Sequence, residues 1–266
     1  MAKSLRIALL ICLIITPVIF HRVLNRKNNY NDKFLPFAAK GRDAQLPKIA
    51  LIFDDLGESL SDLKEIYSLN IPLTISVIPN LKFSKNIAHI GARCGFSVFI
   101  HLPFEPVGKQ RYKTNKYKFI SGDLSKRETV SLLRQYLNSI RIAIGVNNHM
   151  GSLVTQNRKV MEVVMEEIKK RSLIFVDSRT SLKSIAYDQA EKIDLICGYN
   201  HGFLDAVDSV NVMEKRMKEL IALAKNKGKI IVIAHPKKNT FKFLKKQLPD
   251  ICREVEFITT KDYFEL

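Results

Sequence analysis

From Pro47 onward the chain alternates short apolar runs of strand type with stretches whose apolar residues recur at helical spacing. The runs are KIALIF, LTISVIP, FSVFIHLP, IAIGVNNHMGS, LIFVDS, KIIVIAHP and a short EFITT. Between them lie SLSDLKEIYSL, SKNIAHIGARCG, NRKVMEVVMEEIKKRS and VMEKRMKELIALAKNKG, each amphipathic. One helix announces its start: Ser125 and Glu128 form a capping box ahead of the apolar stripe Val130, Leu133 and Leu137. The stretch after FVDS is less regular. Strands alternating with helices predict a parallel sheet, and about six to seven such units suit a closed or nearly closed α/β barrel better than two small domains.

The polar residues that end these runs sharpen the picture. The first run ends in Asp54 and Asp55, the third in His101, the fourth in His149, the fifth in Asp177 and Arg179, and the last long one in His235. In a parallel barrel the C-terminal strand tips converge on one face, so residues far apart in sequence become neighbours there. Two imidazoles and a carboxylate make three protein ligands for a divalent metal with positions left open. A further carboxylate can act as a base and a further histidine as an acid. Against this, a helix N-cap with a first-turn acid explains Asp54-Asp55 as well, and Asp177 with Arg179 reads equally as an ion pair or as substrate contacts. His21 and His89 have no comparable context, and His201 has a weaker one.

At 266 residues and 46% hydrophobic content the chain holds one large domain. The net charge of +17 raises the question of nucleic acid, yet the basic residues are dispersed and no aromatic-interleaved basic motif occurs, so no nucleic-acid partner is expected. A basic surface suits an anionic membrane or envelope polymer. Cysteines 12, 94, 197 and 252 have no C-x-x-C spacing, which argues for small buried hydrophobes rather than a disulfide framework or thiolate site. At the N-terminus, Lys3 and Arg6 precede an uncharged run from Ile7 to Phe20, short of the roughly 20 residues of a membrane span and containing Pro17. Residues 1–22 are expected to be a signal anchor or signal peptide, 23–46 a polar linker and 47–266 the barrel, exported to the periplasm or another extracytoplasmic space and held at the membrane by its first segment.

The motifs FDDLG, HLPFEP, GVNNHMGS, FVDSRTS and IAHP, in that order between about Lys48 and Tyr263, resemble the divergent branch of the polysaccharide deacetylases. The resemblance implies a distorted, incomplete (β/α) barrel and metal-dependent removal of acetyl groups from N-acetylated sugars, with acetylated polysaccharide or a peptidoglycan-derived glycan as partner. It implies Asp54 as general base, Asp55 and His101 as ligands of a divalent metal, with zinc the expected ion, and His235 as general acid. The better-known branch carries H-x-x-x-H-P, where this chain has Glu105 before Pro106. Either Glu105 ligates weakly or through water, or His149 supplies the missing imidazole; His149 is favoured, leaving Glu105 with Asp177 and Arg179 as candidate substrate contacts. Two other readings are a barrel that binds glycan without hydrolysing it, and a receiver-like domain built on the double acid and Lys237. The chain is too long for the receiver, which also leaves the histidines unexplained.

Overall fold

The computed structural model describes residues 45–109 and 114–266. The expected leader, nearly all of the expected linker, and Cys12 lie outside the described residues. Among those described, no helix is long and apolar enough to cross a membrane.

Among the described residues, eight strands and eight α-helices follow in near-strict alternation. The strands are β1 (Lys48–Leu56), β2 (Thr74–Val77), β3 (Ser97–Phe104), β4 (Gly145–Met150), β5 (Ile174–Asp177), β6 (Cys197–Tyr199), β7 (Lys229–Ala234) and β8 (Glu256–Ile258). The helices are α1 (Leu60–Ser68), α2 (Ser84–Arg93), α3 (Lys126–Ser139), α4 (Arg158–Lys169), α5 (Ala186–Glu191), α6 (Val210–Lys227), α7 (Lys238–Ile251) and α8 (Thr260–Tyr263). Local chemistry sets their ends. Ser125 and Glu128 form the expected capping box on α3, Asn157 caps α4 by accepting from the Val160 N–H, and Gly228 ends α6 at φ 80°.

All strand pairs are parallel, in the order β6-β5-β4-β3-β2-β1-β7. β8 pairs with the first residues of β1, Lys48–Ala50, ahead of the point where β2 joins. The two ends of the order meet through an irregular segment just after β6. His201 N–H donates to Ile231 O (2.9 Å), Ile233 N–H to Gly202 O (3.2 Å) and Leu204 N–H to Ile233 O (2.9 Å). The seven strands thus form a nearly closed barrel wrapped by helices.

Alternation along the strands divides the core in two. Ala50, Ile52, Phe99, Ile174, Val176, Ile231 and Ile233 fill the barrel interior. Ile49, Leu51, Phe53, Ile75, Val77, Val146, Phe175 and Val232 belong to the layer that meets the helices. Continuing the inward set along each strand reaches Asp54, Ser76, His101, Asn147, His149 and His235. The same count puts Asp177 on the outward set. Asp55 would also point outward, but the β1–β2 register shifts between Phe53 and Leu56 and Asp55 adopts φ 62°. This bulge lets both acids serve one site. Gly57, at φ 141°, completes the turn; a Cβ there would come within 2.8 Å of Leu81.

Candidate metal and catalytic centre

Asp55 sits at the centre of the strand-tip face. Its Oδ1 lies 3.1 Å from His101 Nε2 and 2.8 Å from His149 Nδ1. One ligand atom from each of these three residues falls within 4.8 Å of the others, the one such group of three or more histidine, cysteine or acidic residues among the described residues. Asp54 flanks the group, with Oδ2 3.6 Å from His101 Nε2. His235 approaches from β7, its Nε2 4.0 Å from Asp55 Oδ2.

The far nitrogen of each ligand-type histidine is also held. Asn147 Nδ2 donates to Asp54 Oδ1 at 2.8 Å, so its Oδ1 is free to accept from Ser76 Oγ (2.6 Å) and from His101 Nδ1 (2.7 Å). With the proton on Nδ1, His101 turns the Nε2 lone pair toward Asp55. Tyr117 Oη meets His149 Nε2 at 2.9 Å, and by accepting that proton it leaves the Nδ1 lone pair facing the same carboxylate oxygen. Two lone pairs aimed at one carboxylate call for a divalent cation between them, whose place an N–H from each ring takes when no ion is bound; the bonds behind the rings are those that fix ligand tautomers in metal sites. Asp55, His101 and His149 would hold the ion.

Burial and charge tune the acids and bases. Burial pushes the Asp54 carboxyl above its ordinary value, only partly offset by His101, His235 and the Asn147 amide. Burial works the same way on Asp55, but hydrogen bonds from His101 and His149 outweigh it and hold that carboxyl well below the usual range. For His101 burial opposes protonation, and the charges of Asp54 and Asp55 overcome it and raise the pKa. His235 is likewise raised against burial, chiefly by Asp205. Asp205 Oδ1 lies 2.8 Å from His235 Nδ1, while Oδ2 accepts from His235 N–H (2.9 Å) and Thr240 Oγ1 (2.8 Å).

The three residues expected as substrate contacts are engaged locally. Glu105 Oε2 accepts from Gly122 N–H at 2.9 Å and its Oε1 pairs with Lys109 Nζ at 2.9 Å, tying down the loop after β3. Asp177 accepts from Arg179 N–H (2.8 Å), Ser184 Oγ (2.8 Å) and Tyr187 N–H (3.3 Å), and so organises the loop after β5. The Arg179 guanidinium stacks over the Tyr199 ring at 3.5 Å rather than completing an ion pair with Asp177. His201 is a packing residue: its Nδ1 accepts from Ile231 N–H (3.2 Å) and its ring stacks on Tyr199. Cys94, Cys197 and Cys252 are thiols in half-buried positions, less enclosed than expected.

Asn147, Tyr117 and Asp205 are the participants that sequence reasoning missed. Asn147 carried a readable signal, an amide two positions before His149 and so on the same face of the strand. Asp205 and Tyr117 lie in irregular stretches with no periodicity to place them.

Comparison with known proteins agrees with this architecture. The chain is 30% identical over 213 residues to YibQ of Escherichia coli K12, covering 79% of this chain and 65% of that protein, just under two thirds of its length. It is 26% identical over 211 residues to a protein of Haemophilus influenzae, covering 79% and 74% of the two chains. The crystal structure of ATU2773 from Agrobacterium tumefaciens C58 superimposes with a TM-score of 0.76 over 84% of this chain and 91% of that one; at 20% identity this is a likeness of fold. The sequence profile described as divergent polysaccharide deacetylase matches residues 51–264, and the chain belongs to that family.

Proposed function

We propose that this protein is a metal-dependent hydrolase that removes acetyl groups from an N-acetylated carbohydrate of the cell envelope. The observation that carries the reading is the meeting of a three-ligand cluster, Asp55, His101 and His149, with two further groups suited to moving protons, Asp54 and His235. A divalent cation such as zinc held there would polarise the acetamide carbonyl and acidify a bound water. Asp54, with its raised carboxyl pKa, takes the proton of the attacking water. His235, its Nδ1 fixed by Asp205, presents Nε2 to the site and protonates the departing amine. Membership of the family supports an acetylated polysaccharide or peptidoglycan glycan as substrate. The run from Ile7 to Phe20 after Lys3 and Arg6 supports export, with residues 1–22 as signal anchor or signal peptide, 23–46 as linker and 47–266 as the working domain.

A second reading, a glycan-binding envelope protein without catalysis, draws on Glu105, which stands where the better-known branch has a histidine and is bound to Lys109 and Gly122. Acetate release from N-acetylated oligosaccharides and peptidoglycan by zinc-loaded wild type and Asp54→Asn separates the two. The hydrolase reading expects the variant to be slower by about 10² to 10⁴ with its metal content retained. Equal release from both sinks the role of Asp54, and no release from the wild type on any substrate favours the binder.

A further inference from the structure

Several large apolar side chains lie exposed on the loops that leave the C-terminal ends of the strands. Leu182, after β5, is fully exposed at 107% of its reference area, Val107 after β3 is 62% exposed and Leu153 after β4 is 46% exposed. Leaving a leucine wholly in water at the tip of a loop gains nothing for folding. The three loops are bonded to one another: Val107 N–H donates to Ser152 Oγ (3.0 Å), Leu153 N–H to Glu105 O (3.2 Å), Thr180 Oγ1 to Met150 O (2.8 Å) and Ile185 N–H to Thr155 O (3.0 Å). The tips therefore form one continuous rim beside His149 rather than three unrelated exposures.

Basic residues accompany the tips. Lys118, Arg158, Lys159 and Lys183 are exposed on the same three loops or on the helix turn that follows them. Protruding aliphatic tips on loops where exposed lysine and arginine outnumber the exposed acids Asp123, Glu128 and Asp188 match the two attractions that hold a protein at an anionic membrane: burial of apolar surface among the acyl chains, and attraction of basic side chains to the headgroups. A protein partner would call for a groove or a flat apolar patch, whereas this rim offers single aliphatic side chains at three loop tips together with exposed basic residues.

We propose that Val107, Leu153 and Leu182 insert into an anionic lipid bilayer and apply the strand-tip face of the barrel to the membrane surface. This surface is read from residues other than the N-terminal run.

The chain contains no tryptophan, so one introduced Trp reports on one place. In the full-length chain, Leu182→Trp and Leu153→Trp would be compared with Ile142→Trp, which lies between α3 and β4 at the opposite end of the barrel and is 37% exposed. All three share whatever membrane contact the N-terminal segment makes. On vesicles of phosphatidylcholine and phosphatidylglycerol with dibrominated acyl chains, emission from Trp at 182 and 153 should shift to the blue and be quenched, while Trp at 142 stays unquenched. Quenching should weaken in phosphatidylcholine alone and in high salt. Unquenched emission at both 182 and 153 on protein-bound vesicles overturns the proposal and points to a protein partner for the rim. Equal quenching at 142 overturns it as well, and quenching that ignores lipid charge removes the anionic requirement.

Discussion

Tyr117 Oη lies 2.9 Å from His149 Nε2, on the side of the ring opposite Asp55. The tyrosine thereby decides which nitrogen of His149 faces the ligand cluster. Tyr117→Phe should keep the ring packing while releasing the tautomer, weakening zinc affinity by about 10-fold, the low end of the range for groups behind a metal ligand. Competition against a chromophoric chelator measures it; unchanged affinity would show that His149 needs no such fixing.

Asn147 serves Asp54, His101 and Ser76 at once. Asn147→Ala should leave a buried carboxylate oxygen and a buried imidazole nitrogen unpaired, costing about 2 kcal/mol or more of stability by denaturant unfolding. Asn147→Asp restores an acceptor for His101 but sets a second carboxylate against Asp54. Acetate release should therefore fall in both variants, and recovery in Asn147→Asp would refute the amide's role toward Asp54.

Asp205 holds His235 through both the ring and the backbone N–H. Asp205→Asn should keep the fold, since Thr240 can still donate to its carbonyl oxygen, and lower kcat by about 10². Zinc content should not change. Loss of metal in this variant would mean that Asp205 supports the ligand cluster instead.

His201 gives a pH dependence of stability. Burial first, then the nearby positive charges of Lys227 and Arg179, depress its pKa from 6.5 to about 4. The folded protein keeps this ring neutral, so its contribution is complete above pH 6.5 and declines as pH falls toward 4, where the unfolded chain takes up a proton that the folded chain refuses. His201→Asn retains an acceptor for Ile231 N–H without titrating. The melting temperature of the wild type should drop more steeply than that of the variant between pH 6.5 and 4, and parallel curves would remove His201 from the acid response.

Asp54, Asp55, His101, His149 and His235 were legible because each ends an apolar run abruptly, and a parallel barrel gathers such ends. Asp177 ends a run in the same way yet faces the helices. The difference is one residue of register in LIFVDS, where both faces of the strand are apolar and alternation leaves no trace. Asp205 was hidden for another reason: it acts on a residue 30 positions away, from a segment whose backbone is neither helix nor strand. The bulge at Asp55 was signalled only by Gly57, and the sequence has no way to show that the acid two positions earlier would also take a left-handed conformation.

The segment that closes the barrel, Gly202–Leu204 against β7, runs directly into Asp205. Ring closure and the aiming of His235 are therefore one event. A few hydrogen bonds hold this seam, against the long ladder between β1 and β7, so it is the place where the wall would first part in a sub-global opening. Parting there would disconnect His235 from its carboxylate while the remaining strands stay paired. The molecule would then fall silent at denaturant concentrations where its circular dichroism still reads as native.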